Sequence, residues 1–576
     1  MTWREEILQD LKANPEVSVL ILGGGVNGVG LLRELALQGV DCLLVDKSDF
    51  VAGASSKSSR MIHGGLRYLE HREFRLVRES LFERNRLIDN APHYVTPLRT
   101  TIPLFSWLGG LLRSTLIFWG VSVRPGSRGL LLVKMGLWFY DFVTRRDRRT
   151  PKHYFTPRDE SLRTIPGLNP SIVATATYWD SEISQPERLC IELIQDARAA
   201  NPRCRALNYV RLRGCRGAEV FLTDEVTGQS VTVRPRIVVN ATGAWVDLAN
   251  RMLGLETHFM GGTKGSHLVI RHPGLHKALG DRMVYYQHAD GRVCIVFPLK
   301  DKVVMGSTDI RTDDPDSAAC DDAEIDYMMT TLGGVFPGIE ISRQDIVFTF
   351  CGVRPLPASE SEVLANVSRG HSVEVIEPAG GREFPVYCLI GGKWTTFRAL
   401  AEQAADRVLA RLGVERRCAT QGVAIGGGRD FPVDPERRRE WIRRVAEKSG
   451  LKQDRVAVLV DRYGMAAEAY AMSPQAGGET PLRALPAYTA GEIRRIVAGE
   501  FVEHLADLVC RRSTIALLGD ARPDVLGELA EIAGGVLGWN PARQEREVAE
   551  TLATVDWRRR GGLAAPPGAR SPSAPR

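Results

Sequence analysis

Hydrophobic positions near the start of the chain form two short runs on either side of a helical segment. Val17, Val19, Leu20, Ile21 and Leu22 make an apolar run that stops at glycines 23, 24, 25 and 28. Leu31 to Gln38 has helix-forming composition, and a second run, Cys42 to Val45, ends at Asp46. Strand, tight turn, helix and strand within about thirty residues predict a βαβ unit of parallel sheet. Ser48 to Leu69, rich in Ser and Gly, predicts an extended loop. Arg72 to Asn90 places Phe74, Val77, Leu81, Phe82 and Leu87 at three-to-four spacing, which predicts an amphipathic helix.

Further on, Ala218 to Asn240 alternates as a strand does and runs into Ala241, Thr242 and Gly243, a second strand-to-turn. Gly265 to Asp309 contains the short strands H-L-V-I, R-V-C-I-V-F-P and V-V-M-G-S-T-D. Val347 to Thr396 adds two more, ends L-I-G-G-K-W-T-T, and gives way to a helix over about 398 to 412. Beyond about 430 strand signals stop, and amphipathic helices fill 435 to 558. The Pro/Ser-rich tail from 561 predicts disorder. Residues 104–123 stand apart, with Arg113 their only charge. Their length reaches the minimum for a membrane span, but three glycines and a central arginine oppose one. Two tryptophans and the flanking Arg99, Arg124 and Arg128 suit a helix or hairpin lying in a membrane interface. A core helix is the plainer alternative.

A chain of 576 residues exceeds one core, and 44% hydrophobic with 25% charged residues is ordinary for a soluble protein. The excess of 75 basic over 69 acidic residues makes no case for nucleic acid but suits an anionic substrate or an anionic membrane surface. The ten cysteines show no C-x-x-C pair and no metal spacing, so they read as reduced thiols of a cytosolic protein with no metal site. The alternating acids of Asp313 to Asp326 read as a solvated loop and helix cap. The charged N-terminus lacks the apolar segment of a secretory signal.

Glycines 23, 25 and 28 fit G-x-G-x-x-G, and Asp46 lies 18 residues beyond Gly28. One glycine makes the turn, one admits a pyrophosphate to the backbone and one lets the helix pack closely; the helix N-terminus faces the phosphates and the acid holds a ribose. The other nucleotide-fold signals, at Ala241 to Gly243 and Gly391 to Thr396, are scattered along the chain. That scatter, with antiparallel strands inserted, is typical of large flavoproteins. The expected fold class is therefore α/β of mixed α+β flavoprotein type: a split Rossmann-like FAD domain with an inserted antiparallel-sheet substrate domain, plus a C-terminal all-α domain. The expected boundaries are an extension over 1–16, FAD-domain segments at about 17–100, 180–260 and 345–412 within 17–425, substrate segments at about 101–179 and 261–344, helices over 430–558 and a tail over 559–576.

Six further stretches carry a resemblance: S-S-K-S-S-R-M-I-H-G-G-L-R-Y-L-E (55–70), F-R-L-V-R-E-S-L (74–81), K-G-S-H-L-V-I (264–270), G-S-T-D (306–309), G-V-R-P-L (352–356) and G-G-K-W-T-T-F-R (391–398). With G-G-G-V-N-G, and with R-Y-G (462–464) and H-L-A-D-L-V-C-R-R (504–512) in the helical part, the chain resembles the FAD-dependent glycerol-3-phosphate dehydrogenases from about residue 15 to 555. The resemblance implies oxidation of sn-glycerol 3-phosphate to dihydroxyacetone phosphate, with hydride passing from C2 to FAD and electrons onward to a membrane quinone. It also implies a homo-oligomer, a dimer, in the cytoplasm and peripherally bound to the inner membrane.

On this resemblance His267 is the candidate base and Arg354 a second catalytic residue, while Arg67, Tyr68, Arg354, Arg369, Lys393 and Thr396 line the substrate pocket. The residue types agree: a phosphate dianion needs Arg or Lys donors, and a secondary alcohol needs a base near neutrality. The implied cofactor residues are Gly23, Gly25, Gly28, Asp46, Ser55, Ser56, Ser58, His63, Ala241, Thr242, Gly243, Asp309, Gly391, Gly392 and Thr395. The chain departs from the family at Pro186-Glu187 before Arg188, where two aspartates are usual, at Ala54 and at Trp394. Those changes leave open a dehydrogenase of a related polyol phosphate such as erythritol phosphate; an oxidase also stays open, because oxygen access is set by pocket shape.

Overall fold

The first apolar run becomes the strand Glu16–Leu22, paired in parallel with Ser230–Asn240 on one side and Cys42–Val45 on the other. The computed structural model describes residues 2–69, 73–107, 129–288, 292–358, 370–472 and 480–558, leaving aside the side chains of Arg67 and Leu69. The expectations for the Arg67 side chain, Arg369, residues 108–123 and the tail from 559 lie outside the described residues.

Val386–Gly391 and Arg205–Leu207 extend this sheet in parallel at its two sides, and His371–Ile376 closes one edge antiparallel. All four residues of Cys42–Val45 are buried, as a central parallel strand covered on both faces requires. The helices Val26–Leu37, Pro186–Ala200 and Phe397–Leu412 cover one face through Leu31, Leu35, Ile191, Ile194, Leu400 and Val408. Leu8 and Leu11 of the N-terminal helix Trp3–Ala13 join the core on the other face. That helix starts at a Thr2 and Glu5 capping box, which satisfies otherwise orphan N–H groups.

A second, mostly antiparallel sheet stands beside the first. Its order runs Ile310–Arg311, Thr263–Ile270, Lys302–Gly306, Val293–Leu299, Arg282–Gln287, Val95–Leu104, Ala174–Ile183 and Met61–Ile62. Ile346–Arg354 pairs antiparallel with Thr263–Ile270 along nearly its whole length. The sequence segments 17–100, 180–260 and 345–412 thus contribute strands to this sheet as well as to the parallel one. The reason is long-range pairing: Met61–Ile62, Val95–Leu104 and Ile346–Arg354 find their edges on strands far away in sequence.

The helices from Pro435 to Val555 pack on one face of the second sheet, where Phe297, Phe348 and Phe350 share a core with Leu459, Ile496 and Leu526. Buried charge also joins these helices to the parallel sheet. Asp49 accepts from Arg512 through both carboxylate oxygens at 2.8 Å and also from Arg511. Arg188 grips Glu500 at 2.8 and 2.9 Å. Burial alone would push the Asp49 carboxyl up, but the charges of Arg512 and Arg511 hold it well below the usual carboxylate range. Its contribution to stability is therefore present above about pH 4 and is lost as pH falls below that.

Asp49→Ala takes a shared carboxylate from two buried guanidiniums, leaving Arg511 with Asp507 and Arg512 with backbone carbonyls alone. We expect urea denaturation at neutral pH to show a loss of about 3–5 kcal/mol. A loss below about 1 kcal/mol, the range of an exposed pair, would contradict this account of the junction.

Candidate active site

A cavity of about 900 Å³ opens between the two sheets, at the large end of the range for cofactor sites. It starts where the parallel strands end. Gly23, Gly25, Asp46, Ala241, Thr242 and Gly243 form this wall, at the carboxyl edge where such sheets bind ligands. Gly28 stands behind the turn, where a Cβ would collide with the Gly23 carbonyl oxygen, so only glycine lets the helix Val26–Leu37 seat this closely. The Val26 N–H at the helix start donates to Ser55 Oγ at 2.9 Å, and both residues line the cavity. Asp46 accepts from the N–H groups of Gly24 at 2.7 Å and Ser48 at 2.8 Å. Burial pushes its carboxyl up to about 6 despite those donors.

The floor comes from three loop segments tied together. The His63 N–H donates to Thr395 Oγ1 at 3.1 Å, and that hydroxyl donates to the His63 carbonyl at 3.2 Å. Gly64 N–H is held by Asp180 Oδ1 at 3.1 Å and Tyr140 Oη at 2.9 Å. Trp394 Nε1 donates to Ser55 O at 2.9 Å, which closes the loop over the glycine turn. Lys393 Nζ donates to Ser80 Oγ at 2.6 Å and lies 4.6 Å from the centre of the Tyr68 ring.

The far wall belongs to the second sheet. His267 sits mid-strand with its ring stacked at 4.8 Å on Phe350, its cross-strand neighbour. Ser59 Oγ is 2.7 Å from its Nε2, and Nδ1 is buried with no partner among the described residues. Burial, then the charges of Arg354 and Arg60, push the imidazole down to about 3, so it is neutral at physiological pH. Arg354 ends the neighbouring strand. Its guanidinium donates to Ser307 Oγ at 3.0 Å, Asp309 Oδ1 at 3.1 Å and the Thr308 carbonyl at 3.2 Å. A Cβ at Gly265 would strike that guanidinium, so glycine leaves the space it occupies. Behind both residues, buried Glu324 accepts from Ser266 Oγ at 2.9 Å, Thr308 Oγ1 at 2.5 Å and Lys264 Nζ at 2.9 Å. One carboxylate thus fixes the strand that carries His267 and the loop that holds Arg354.

Most of the sequence-derived candidates meet at this cavity: Gly23, Gly25, Asp46, Ser55, Ser58, His63, Tyr68, Ala241, Thr242, Gly243, His267, Arg354, Gly392, Lys393 and Thr395 line it. Gly28, Ser56, Asp309, Gly391 and Thr396 do not form the wall. Ser56 Oγ donates to Gly53 O at 3.3 Å, Asp309 anchors Arg354, and Thr396 is fully buried at the helix start. Sequence reading missed Ser59, Trp245 and Asp316, which also line the cavity. Ser59 belongs to the same serine-rich stretch and carried a signal. Asp316 had none, since its contact with Trp245 Nε1 at 2.9 Å joins parts of the chain far apart in sequence.

The geometry is that of a dinucleotide-binding fold facing a cationic pocket. The glycine turn without room for a Cβ, the helix N-terminus opening on the cavity and the acid ending the second strand fit the dinucleotide end of FAD, and the cavity continues from there to His267. The model of an FAD dependent oxidoreductase family matches residues 18–407, and that of the C-terminal domain of alpha-glycerophosphate oxidase matches 418–544. A glycerol-3-phosphate dehydrogenase of Synechocystis is 31% identical over 93% of this chain and 95% of its own length. A D-erythritol 1-phosphate dehydrogenase of Brucella abortus is 29% identical over 87% of this chain and 95% of its own. The fold matches the crystal structure of a Bacillus halodurans glycerol-3-phosphate dehydrogenase complexed with FAD, with TM-score 0.73 at 20% identity, over 96% of this chain and 97% of that one. The chain belongs to the family of FAD-dependent glycerol-3-phosphate dehydrogenases.

Gly28→Ala is expected to abolish FAD retention, because the added methyl group meets the Gly23 carbonyl. The visible absorbance of the purified protein checks it, and a fully yellow variant would contradict the cradle.

Proposed function

We propose that the protein oxidises sn-glycerol 3-phosphate to dihydroxyacetone phosphate and passes the electrons to a membrane quinone. The observation that carries the reading is the convergence of Arg354 and Lys393 with neutral His267 on one cavity next to the glycine turn. FAD, when bound, supplies the two-electron acceptor for the C2 hydride. The chain's own residues do the rest. Arg354, held by Asp309 and Thr308, presents a fixed guanidinium to a phosphate dianion. Lys393 adds a second cation beside the Tyr68 ring. A phosphate seated there offsets part of the Arg354 charge that, after burial, depresses His267, so binding the substrate strengthens the base that serves the C2 hydroxyl.

A related polyol phosphate is the second reading. The erythritol phosphate dehydrogenase among the relatives supports it. A panel of phosphorylated polyols, read by anaerobic bleaching of the flavin, separates the two. Peroxide release measured against quinone reduction tests the acceptor.

A membrane partner is supported by one surface. Along the helix Leu130–Thr144, Leu131, Met135, Trp138 and Phe142 form an exposed apolar stripe, with Trp138 at 64% exposure. Trp107 adjoins its start, Phe74 packs on Phe139 at 5.6 Å, and Lys134, Arg145 and Arg146 are exposed alongside. Aromatic and apolar residues rimmed by basic ones suit the interface of an anionic bilayer, on the cytoplasmic side of the inner membrane. Among the described residues no helix is long and apolar enough to cross a membrane. Of the 104–123 stretch only its first four residues are described, and Phe105 and Trp107 among them are exposed.

Arg354→Ala is expected to raise the KM for glycerol 3-phosphate by roughly 30-fold or more, since a desolvated charged contact is worth about 2–4 kcal/mol. FAD content should stay unchanged; unaltered kinetics would remove Arg354 from the pocket. Met135→Asp with Trp138→Asp should abolish co-sedimentation with phosphatidylglycerol vesicles while dye reduction survives. A wild type that ignores such vesicles would end the membrane reading.

A further inference from the structure

We propose that Ser59, which the sequence does not single out, is the group that meets the substrate hydroxyl, and that His267 acts behind it through a hydroxyl–imidazole relay. The inference rests on the polyol phosphate dehydrogenase reading above and assigns the proton path within it. Three observations carry it.

His267 is 1% exposed, and neither of its nitrogens offers a simple route to a ligand. Nδ1 is buried, and Nε2 faces Ser59 Oγ at 2.7 Å. Ser59, by contrast, is partly exposed and lines the cavity. The hydroxyl thus stands between the ring and the space a substrate fills.

Three other hydroxyls nearby are engaged by the protein itself. Ser58 Oγ accepts from the Arg60 N–H at 3.3 Å, Ser55 Oγ takes the Val26 N–H, and Thr395 Oγ1 both donates to and accepts from His63.

The backbone next to Ser59 is held in an unusual conformation. Arg60 adopts φ +55°, a left-handed value uncommon for a non-glycine residue. Its guanidinium is fixed by Glu187 at 2.7 Å and by the Ser184 carbonyl at 2.7 Å. Glu187 thereby secures the residue that follows Ser59. Strained, over-determined backbone of this kind clusters where side chains must be aimed.

The proton balance is simple. The O–H bond of the substrate's C2 hydroxyl breaks and its proton goes to Ser59 Oγ. The Ser59 proton moves to His267 Nε2, leaving imidazolium and an unchanged serine. The charged groups facing that imidazole are Arg354, on the neighbouring strand, and Arg60, beyond Ser59. Both oppose the imidazolium, and the bound phosphate dianion compensates.

The test compares wild-type holoenzyme with Ser59→Ala, Ser59→Thr, His267→Ala and the Ser59→Ala/His267→Ala double variant, using glycerol 3-phosphate. We expect Ser59→Ala to lower kcat by roughly 10²–10⁴-fold while KM changes by less than about threefold. Ser59→Thr, which keeps the hydroxyl, should recover most of the loss. The double variant should be no slower than His267→Ala alone, as for residues that act as a unit. Independently of turnover, the ¹⁵N resonance of His267 Nε2 in substrate-free holoprotein should move on Ser59→Ala. Wild-type kcat in Ser59→Ala, a loss confined to KM, a double variant with additive losses, or an unmoved Nε2 resonance would each overturn the relay. A wild type that reduces its flavin with no polyol phosphate would overturn the functional reading beneath it, which is a separate and distinguishable failure.

Discussion

Arg354 and His267 stand on neighbouring strands, and the positive charge of one helps keep the other unprotonated. A surface imidazole at physiological pH is a mixture of protonation states. Buried against Phe350 and faced by two guanidiniums, His267 is neutral throughout that range. Neutrality makes it available as an acceptor, and negative charge placed beside Arg354 opposes the smaller, electrostatic part of what lowers it, burial being the larger. Under the proposed function, the site couples the binding of a phosphate to the strength of its own base. A phosphorylated alcohol brings both the charge and the proton, whereas an unphosphorylated one brings only the proton.

Everything around this pair serves to hold it still. Glu324 ties the His267 strand to the loop that carries the Arg354 acceptors, and Gly265 leaves room for the guanidinium itself. Across the cavity, Thr395 and Asp180 fix the His63–Gly64 turn. The helical region backs the second sheet through Phe297, Phe348 and Phe350, and through Asp49 it locks onto the parallel sheet. A site assembled from two sheets depends on such junctions, because a small slip between the sheets separates the cofactor end from the cationic end.

The parts of this arrangement that were legible in sequence are the local ones. The glycine turn, Asp46 and Ala241–Gly243 announce themselves because backbone chemistry at each turn dictates the residue types within a few positions. His267 and Arg354 emerged from a family resemblance, not from periodicity, since a single polar residue in a strand carries no label. The pairing of Ile346–Arg354 with Thr263–Ile270 was not legible: no local pattern specifies an antiparallel partner about eighty positions away. Ser59 was missed because four similar serines stand within five positions, and only the fold says which one reaches the histidine. The aromatic stripe on Leu130–Thr144 was passed over for the more continuous apolar run just before it, although its exposed face is the clearer signal once burial is known.

The most direct measurement is a ¹³C/¹⁵N NMR titration of the His267 ring in intact holoenzyme, with and without saturating dihydroxyacetone phosphate. The account predicts an imidazole that stays neutral down to at least about pH 5 in the free enzyme and titrates at higher pH once the phosphate ester is bound. A ring that titrates near its ordinary value of about 6.5, and does so whether or not the ester is present, would contradict it.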